Sequence, residues 1–152
     1  MNASAQRFSL RSEQLYQLVR APKHCKTNLP SKKEKIFQLT TTEPDFKRLQ
    51  IKLHVKRARP EQPETWTAAL VVDGKRIRGV DYSARAVDKH FKQHIPKGWH
   101  QNIVDPNLSD QDLNRNRHES LENFSPKSFQ DFLEKVTALW NIELPQKLGE
   151  ML

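Results

Sequence analysis

Asp73-Gly74 stands between two β-prone runs, Trp66 to Val72 and Lys75 to Tyr82, and constrains the chain more than any other feature. A two-residue Asp-Gly loop favours a type I′ turn, because both central positions need positive φ and the turn's twist matches that of the strands it joins. The resulting register sets Val72 opposite Lys75, Val71 opposite Arg76, Leu70 opposite Ile77 and Ala69 opposite Arg78. One face then collects Trp66, Ala68, Leu70, Val72 and Ile77 for a core. The other gathers Arg76 and Arg78 beside the small Thr67 and Ala69, a flat positive patch.

A second strand is expected where Ile51, Leu53 and Val55 alternate with Lys52, His54 and Lys56. That period of two turns the basic set away from the core and alongside the arginines. Lys35 to Thr42 reads as a weak strand, and Gly98 to Val104 as a short one carrying Trp99 and His100. Near the N-terminus, Ser12 is placed to cap a helix with Leu15, Leu18 and Val19 on one face, ended by Pro22. Pro22 to Lys35 is polar and reads as a mobile connector. Ala84 to His94 is expected to be helical, with His90 and His94 at i, i+4, and Asp110 to Leu121 to hold a helical turn within a polar loop. Ser125 and Pro126 open a last helix whose Phe129, Phe132, Leu133, Val136, Leu139 and Trp140 form one apolar stripe.

These patterns predict an α+β fold: a small antiparallel sheet covered on one face by the C-terminal amphipathic helix, with an N-terminal helix. Three regions are expected. They are an N-terminal helix and basic connector over residues 1–46, a core domain over 47–143, and a loose tail over 144–152.

The net charge of +8 is segregated along the chain. Residues 1–46 carry 8 basic and 4 acidic groups, residues 47–100 carry 13 and 5, and residues 101–152 carry 5 and 9. Such asymmetry speaks to partners: a nucleic acid, RNA ahead of DNA, or an acidic protein. Lys52, His54, Lys56, Arg76 and Arg78 are the residues expected to meet it. No apolar run is long enough for a signal peptide or a bilayer span, and Cys25 is the single cysteine. A cytoplasmic protein with no membrane partner is therefore expected.

No phosphate-cradling glycine loop, metalloprotease motif or nucleophile elbow is present, and no cofactor is expected. His90, His94 and His100 lack the spacing and cysteine support of a structural metal site. His100, His94, Lys97 and the Arg117-His118-Glu119 run are better suited to cutting a phosphodiester without metal. That chemistry needs a base for the 2′-hydroxyl, an acid for the leaving oxygen and cations around the phosphorus. Histidine titrates near neutrality and serves the first two tasks, so His100, His94, His118 and Lys97 are the candidate catalytic residues. The residues leave open whether any bond is cut, since the same side chains also suit plain phosphate contact. Trp66 and Trp99 are candidate base-stacking platforms, of which at most one faces a ligand.

The stretch from Thr65 to Ile103, TWTAALVVDGKRIRGVDY and then KGWHQNI, resembles the core of the TumE-type toxins, small bacterial proteins encoded beside an antitoxin. That family has an aromatic-containing strand, a V-D-G-x-R hairpin and a following strand ending in Tyr-Asp or Asp-Asn. A K-G-D-H-x-H element and a C-terminal F-x-x-F-L helix come next, the latter matched here by Phe129, Phe132 and Leu133. By position the resemblance points to Arg76, Asp81, Lys97, Gly98 and His100, and it covers about a third of the chain. Trp99 replaces the acidic residue, and Asn102 stands where the second histidine belongs. Paired-histidine chemistry would thus require His94 or His118 as a substitute. The resemblance implies an α+β fold, a growth-inhibiting activity directed at RNA and a neutralising antitoxin partner. The alternative is a non-enzymatic binding or inhibitor module of a phage or mobile element, whose basic face contacts nucleic acid or an acidic host protein.

Overall fold

A computed structural model describes residues 10–30, 34–88, 94–106 and 117–144. The fold is α+β, as expected, with an N-terminal helix, a large and mostly antiparallel sheet and a C-terminal helix. In chain order the elements are α1 (Ser12–Arg20), β1 (Lys23–Pro30), β2 (Glu34–Thr41), β3 (Ile51–Arg57), β4 (Trp66–Val72), β5 (Lys75–Ser83), β6 (Val87–Asp88), β7 (His94–Ile95), β8 (Gly98–Ile103), β9 (Arg117–Ser120), α2 (Phe129–Leu139) and β10 (Ile142–Glu143). Eight of the strands form one sheet in the order β10-β1-β2-β3-β4-β5-β8-β9, while β6 and β7 pair separately. Only the β1–β10 pairing in the large sheet is parallel.

The sheet has one apolar and one polar face because β2, β3 and β4 alternate strictly. Phe37 and Leu39, then Ile51, Leu53 and Val55, then Trp66, Ala68, Leu70 and Val72 are all buried in one core. Leu15, Leu18 and Val19 of α1 and Phe129, Phe132, Leu133 and Val136 of α2 close that core. Each such side chain removed from water contributes roughly 1.5–3 kcal/mol, which is what holds two short helices against the sheet. Trp66 meets Phe129 and Phe132 edge-on, and the Arg57 guanidinium lies 4.6 Å over the Phe129 ring. Trp140 is fully buried, its indole N–H donating to Gln101 Oε1 at 2.8 Å.

Several local expectations are corrected. Lys23–Pro30 of the expected connector is strand β1, held between β2 and β10, and residues 31–33 lie outside the described set; β1 and β2 belong to the large sheet, and α1 and β2 contribute to its core. Ser12 is inside α1, where its hydroxyl donates to Asp105 instead of capping. The cap of α2 is Ser128, whose Oγ accepts from Asp131 N at 3.0 Å, and Ser125 and Pro126 precede the helix. The helix expected over residues 84–94 is replaced at both ends by β6 and β7, with residues 89–93 outside the described set. Of the stretch Asp110 to Leu121 expected to hold a helical turn, residues 117–120 are strand β9 and residues 110–116 lie outside the described set. The tail beyond residue 144 also lies outside the described residues. Among the described residues, no helix is long and apolar enough to cross a membrane.

Candidate functional site

The hairpin turn forms as its sequence demands, with Asp73 and Gly74 at φ 48° and 80°. Its first two pairs, Val72 with Lys75 and Val71 with Arg76, match the expected register. The next pair does not. Ile77 is an extra residue, a β-bulge, so Leu70 pairs with Arg78 and Ala69 with Gly79. Ile77 and Arg78 are consequently both buried toward the helices, and the Arg78 guanidinium lies 4.9 Å over the Tyr16 ring of α1. Arg76 stays on the opposite, open face. The expected arginine pair is split, and Arg78 is withdrawn from the polar surface.

What remains on the open face is a transverse row. Ile36, His54, Ala69, Gly79, Asn102 and His118 are successive register partners across six strands. Ala69 and Gly79 are small and adjacent, so the row sinks in its middle. The result is a groove of ≈ 300 Å³ with His54 on one wall and Asn102 on the other. A methyl group on Gly79 would sit 3.4 Å from Asn102 Nδ2, which shows how closely that amide lies over the floor. Arg76 lies at one end of the groove, and Lys56, Thr67 and Asp81 also line it. Lys52 continues the basic surface in the neighbouring row, between Gln38 and Val71.

Beside the groove a hydrogen-bonded chain runs across β5, β8 and β9. His118 Nδ1 donates to Asn102 Oδ1 at 2.5 Å, and Asn102 Nδ2 donates to Asp81 Oδ2 at 3.4 Å. Asp81 Oδ1 meets His100 Nε2 at 2.5 Å, and His100 Nδ1 donates to Gly98 O at 3.2 Å. A carbonyl oxygen can only accept, so Nδ1 of His100 carries a proton, and Nε2 faces a carboxylate. Both ring nitrogens therefore favour the imidazolium. Burial pulls the His100 pKa down, but the Asp81 hydrogen bond, the Gly98 carbonyl and the charge on Asp81 outweigh it, and the net shift is upward. Burial likewise acts to raise Asp81, yet His100 and then Asn102 hold its carboxyl below the usual carboxylate range.

These two shifts carry a stability signature. The raised His100 contributes stability that is complete below its unfolded value near 6.5 and is lost as pH rises through its folded value. The depressed Asp81 contributes stability that is complete above its unfolded value near 3.8 and is lost on acidification. Thermal melts should thus show the contribution of the pair at full strength between about pH 4 and 6.5 and declining on either side. Asp81→Asn should flatten that profile, and an unchanged profile in the variant would show that the pair does not form.

The structure brings His100 and His118 together, with ring centroids 6.0 Å apart, although residues 104–116 separate their strands in sequence. Lys97 is exposed in the turn before β8, and the side chain of His94 lies outside the described residues, as does His90. His100 is 3% exposed with both nitrogens engaged, whereas the Asp81 side chain is 41% exposed. Asp81 is thus the exposed member of the chain in the groove lining, and His100 holds it. Trp66 is on the core side, and Trp99 packs on Phe124, Phe132 and Tyr82, so neither is a stacking platform on this face. Among the described residues, no group of three or more His, Cys, Asp or Glu side chains is arranged to hold a metal ion.

No family model, curated protein or solved structure matches this chain. The site must be read from its own geometry. Sequence reasoning missed Asn102 as a bridge and Ala69 and Gly79 as a floor. The alternation of β4 was a usable signal for Ala69, but the bulge at Ile77 hid the parity of Gly79.

Proposed function

We propose that this protein engages single-stranded RNA on the open face of its sheet, in the manner of a toxin that attacks RNA, with Asp81 as its proton acceptor and His118 positioning it through Asn102. The observation that carries this reading is the chain from His118 through Asn102 and Asp81 to His100, set beside a groove with basic residues around it. Asp81 is positioned to accept the proton of a ribose hydroxyl, and Lys52, Lys56 and Arg76 offer charge to phosphate. The TumE-type resemblance supports the same reading. The family's second histidine position is Asn102 here, and His118 is bonded directly to Asn102 from β9. On this reading the chain also has a neutralising partner protein.

The test is cleavage of end-labelled single-stranded RNA under single-turnover conditions. Wild type should cut, Asp81→Asn should slow cutting by about 100-fold, the lower range for loss of a general base, and His118→Ala should slow it less, since His118 acts through Asn102. The burial of His100, with both nitrogens engaged, favours a second reading: a binding module without turnover. Tight RNA binding with no cutting by wild type would select that module. Failure to bind RNA at physiological salt would end both readings.

A further inference from the structure

We infer that the groove floored by Ala69 and Gly79 is a subsite for one nucleotide unit, with phosphate at its Arg76 end and a hydroxyl or amine donor on Asp81. The inference rests on the RNA reading above and specifies which part of the chain the face grips.

The groove is bipolar. Arg76 is exposed at one end, in register with Val71, and has no carboxylate partner among the described residues, while Lys35 and Lys56 also line the groove, Lys56 in register with Thr67 away from the Arg76 end. Asp81 supplies the single carboxylate of the lining, held in place by His100 and Asn102. Asp81 Oδ1 is buried against His100, so the exposure of this side chain lies on the Oδ2 side. A carboxylate oxygen has two acceptor positions, and Asn102 occupies one on Oδ2, leaving one for a ligand donor. A bare anion would satisfy Arg76 and be repelled by Asp81, and a bare cation would meet the reverse. The occupant that satisfies both ends carries a phosphate and, some ångströms away, an O–H or N–H donor. A nucleoside monophosphate has this arrangement. A volume of ≈ 300 Å³ is at the small end of ligand pockets, fitting one such unit and excluding a base pair.

The floor is what gives the groove its depth. Ala69 points into it from β4, and Gly79 opposes Ala69 from β5. Any larger side chain at either position would fill the space between His54 and Asn102 without touching the core on the other side of the sheet.

The experiment is calorimetric titration of the full chain with AMP, GMP, CMP and UMP, with adenosine, and with inorganic phosphate. Wild type should bind at least one mononucleotide at a single site. Adenosine and phosphate should each bind at least about tenfold more weakly than that mononucleotide, because each satisfies one end only. Ala69→Leu should weaken the mononucleotide by about tenfold or more while its melting temperature stays near wild type. Should Ala69→Leu fail to fold, Gly79→Ala serves, with an expected loss of about threefold from the methyl beside Asn102. Inorganic phosphate binding as tightly as every mononucleotide, or a folded floor variant binding mononucleotide at wild-type affinity, would overturn the inference. Binding of long single-stranded RNA is measured in parallel. If wild type holds RNA but no mononucleotide, the subsite fails alone; if it holds neither, the RNA reading fails with it.

Discussion

Lys23→Met should lower the folding stability by about 3–5 kcal/mol, since each buried carbonyl acceptor left without a donor costs about 1–3 kcal/mol. Lys23 is completely buried, and its ammonium donates to Val19 O at 2.8 Å, Ala21 O at 2.6 Å and Trp140 O at 2.6 Å. Those carbonyls belong to the end of α1 and the C-cap of α2, so one side chain satisfies the exit of both helices at the negative ends of their dipoles. Methionine fills the space but leaves three buried acceptors without a donor. The corresponding fall in Tm for a chain of this length is roughly 10–15 °C. Burial pulls the ammonium down to about 7, so above that pH the native state sheds its proton while the unfolded chain keeps it, and stability gains with rising pH. Urea titrations at pH 6 and pH 9 on wild type and variant read both effects. A loss below about 1 kcal/mol would mean that the three carbonyls find other partners.

Simultaneous replacement of Lys52, Lys56 and Arg76 by alanine should weaken single-stranded RNA binding by about 100-fold at physiological salt. It should also reduce the slope of log affinity against log salt by about 2, since each phosphate neutralised on a single strand contributes about 0.7. All three lie on the open face, in register with Val71, Thr67 and Val71 respectively. Arg78→Met is the internal contrast. It removes a guanidinium that stacks on Tyr16 and donates to Ile77 O, so it should lower the melting temperature and leave the salt slope unchanged. An unchanged slope in the triple variant, or a reduced one in Arg78→Met, would show that RNA meets another surface.

The split between Arg76 and Arg78 explains what was legible in the sequence and what was not. Strand β3 and the stripe of α2 are written in side-chain periodicity, which reports burial directly, and both appear where the pattern puts them. The Asp73-Gly74 turn is equally local. The bulge at Ile77 is not, because it arises from a competition between ladder register and the burial of an isoleucine, and one extra residue reverses the face of everything that follows it on β5. Strand β1 was illegible for a related reason. Its polar run Lys23–Pro30 has no alternation, and it is a strand because β2 and β10 supply its hydrogen bonds. His118 entered the sequence reading as one of several candidates. Its place beside Asn102 depends on β9 pairing with β8 across a long connection, which no local pattern encodes.

Lysine acetylation footprinting in the presence and absence of single-stranded RNA tests most directly where the polyanion sits. Lys52 and Lys56 should be protected by RNA, while Lys47, near α1, and Lys127, just before α2, should react as in the free protein. Protection of Lys47 and Lys127 with Lys52 and Lys56 still reactive would place RNA on the helical side of the molecule and contradict the account.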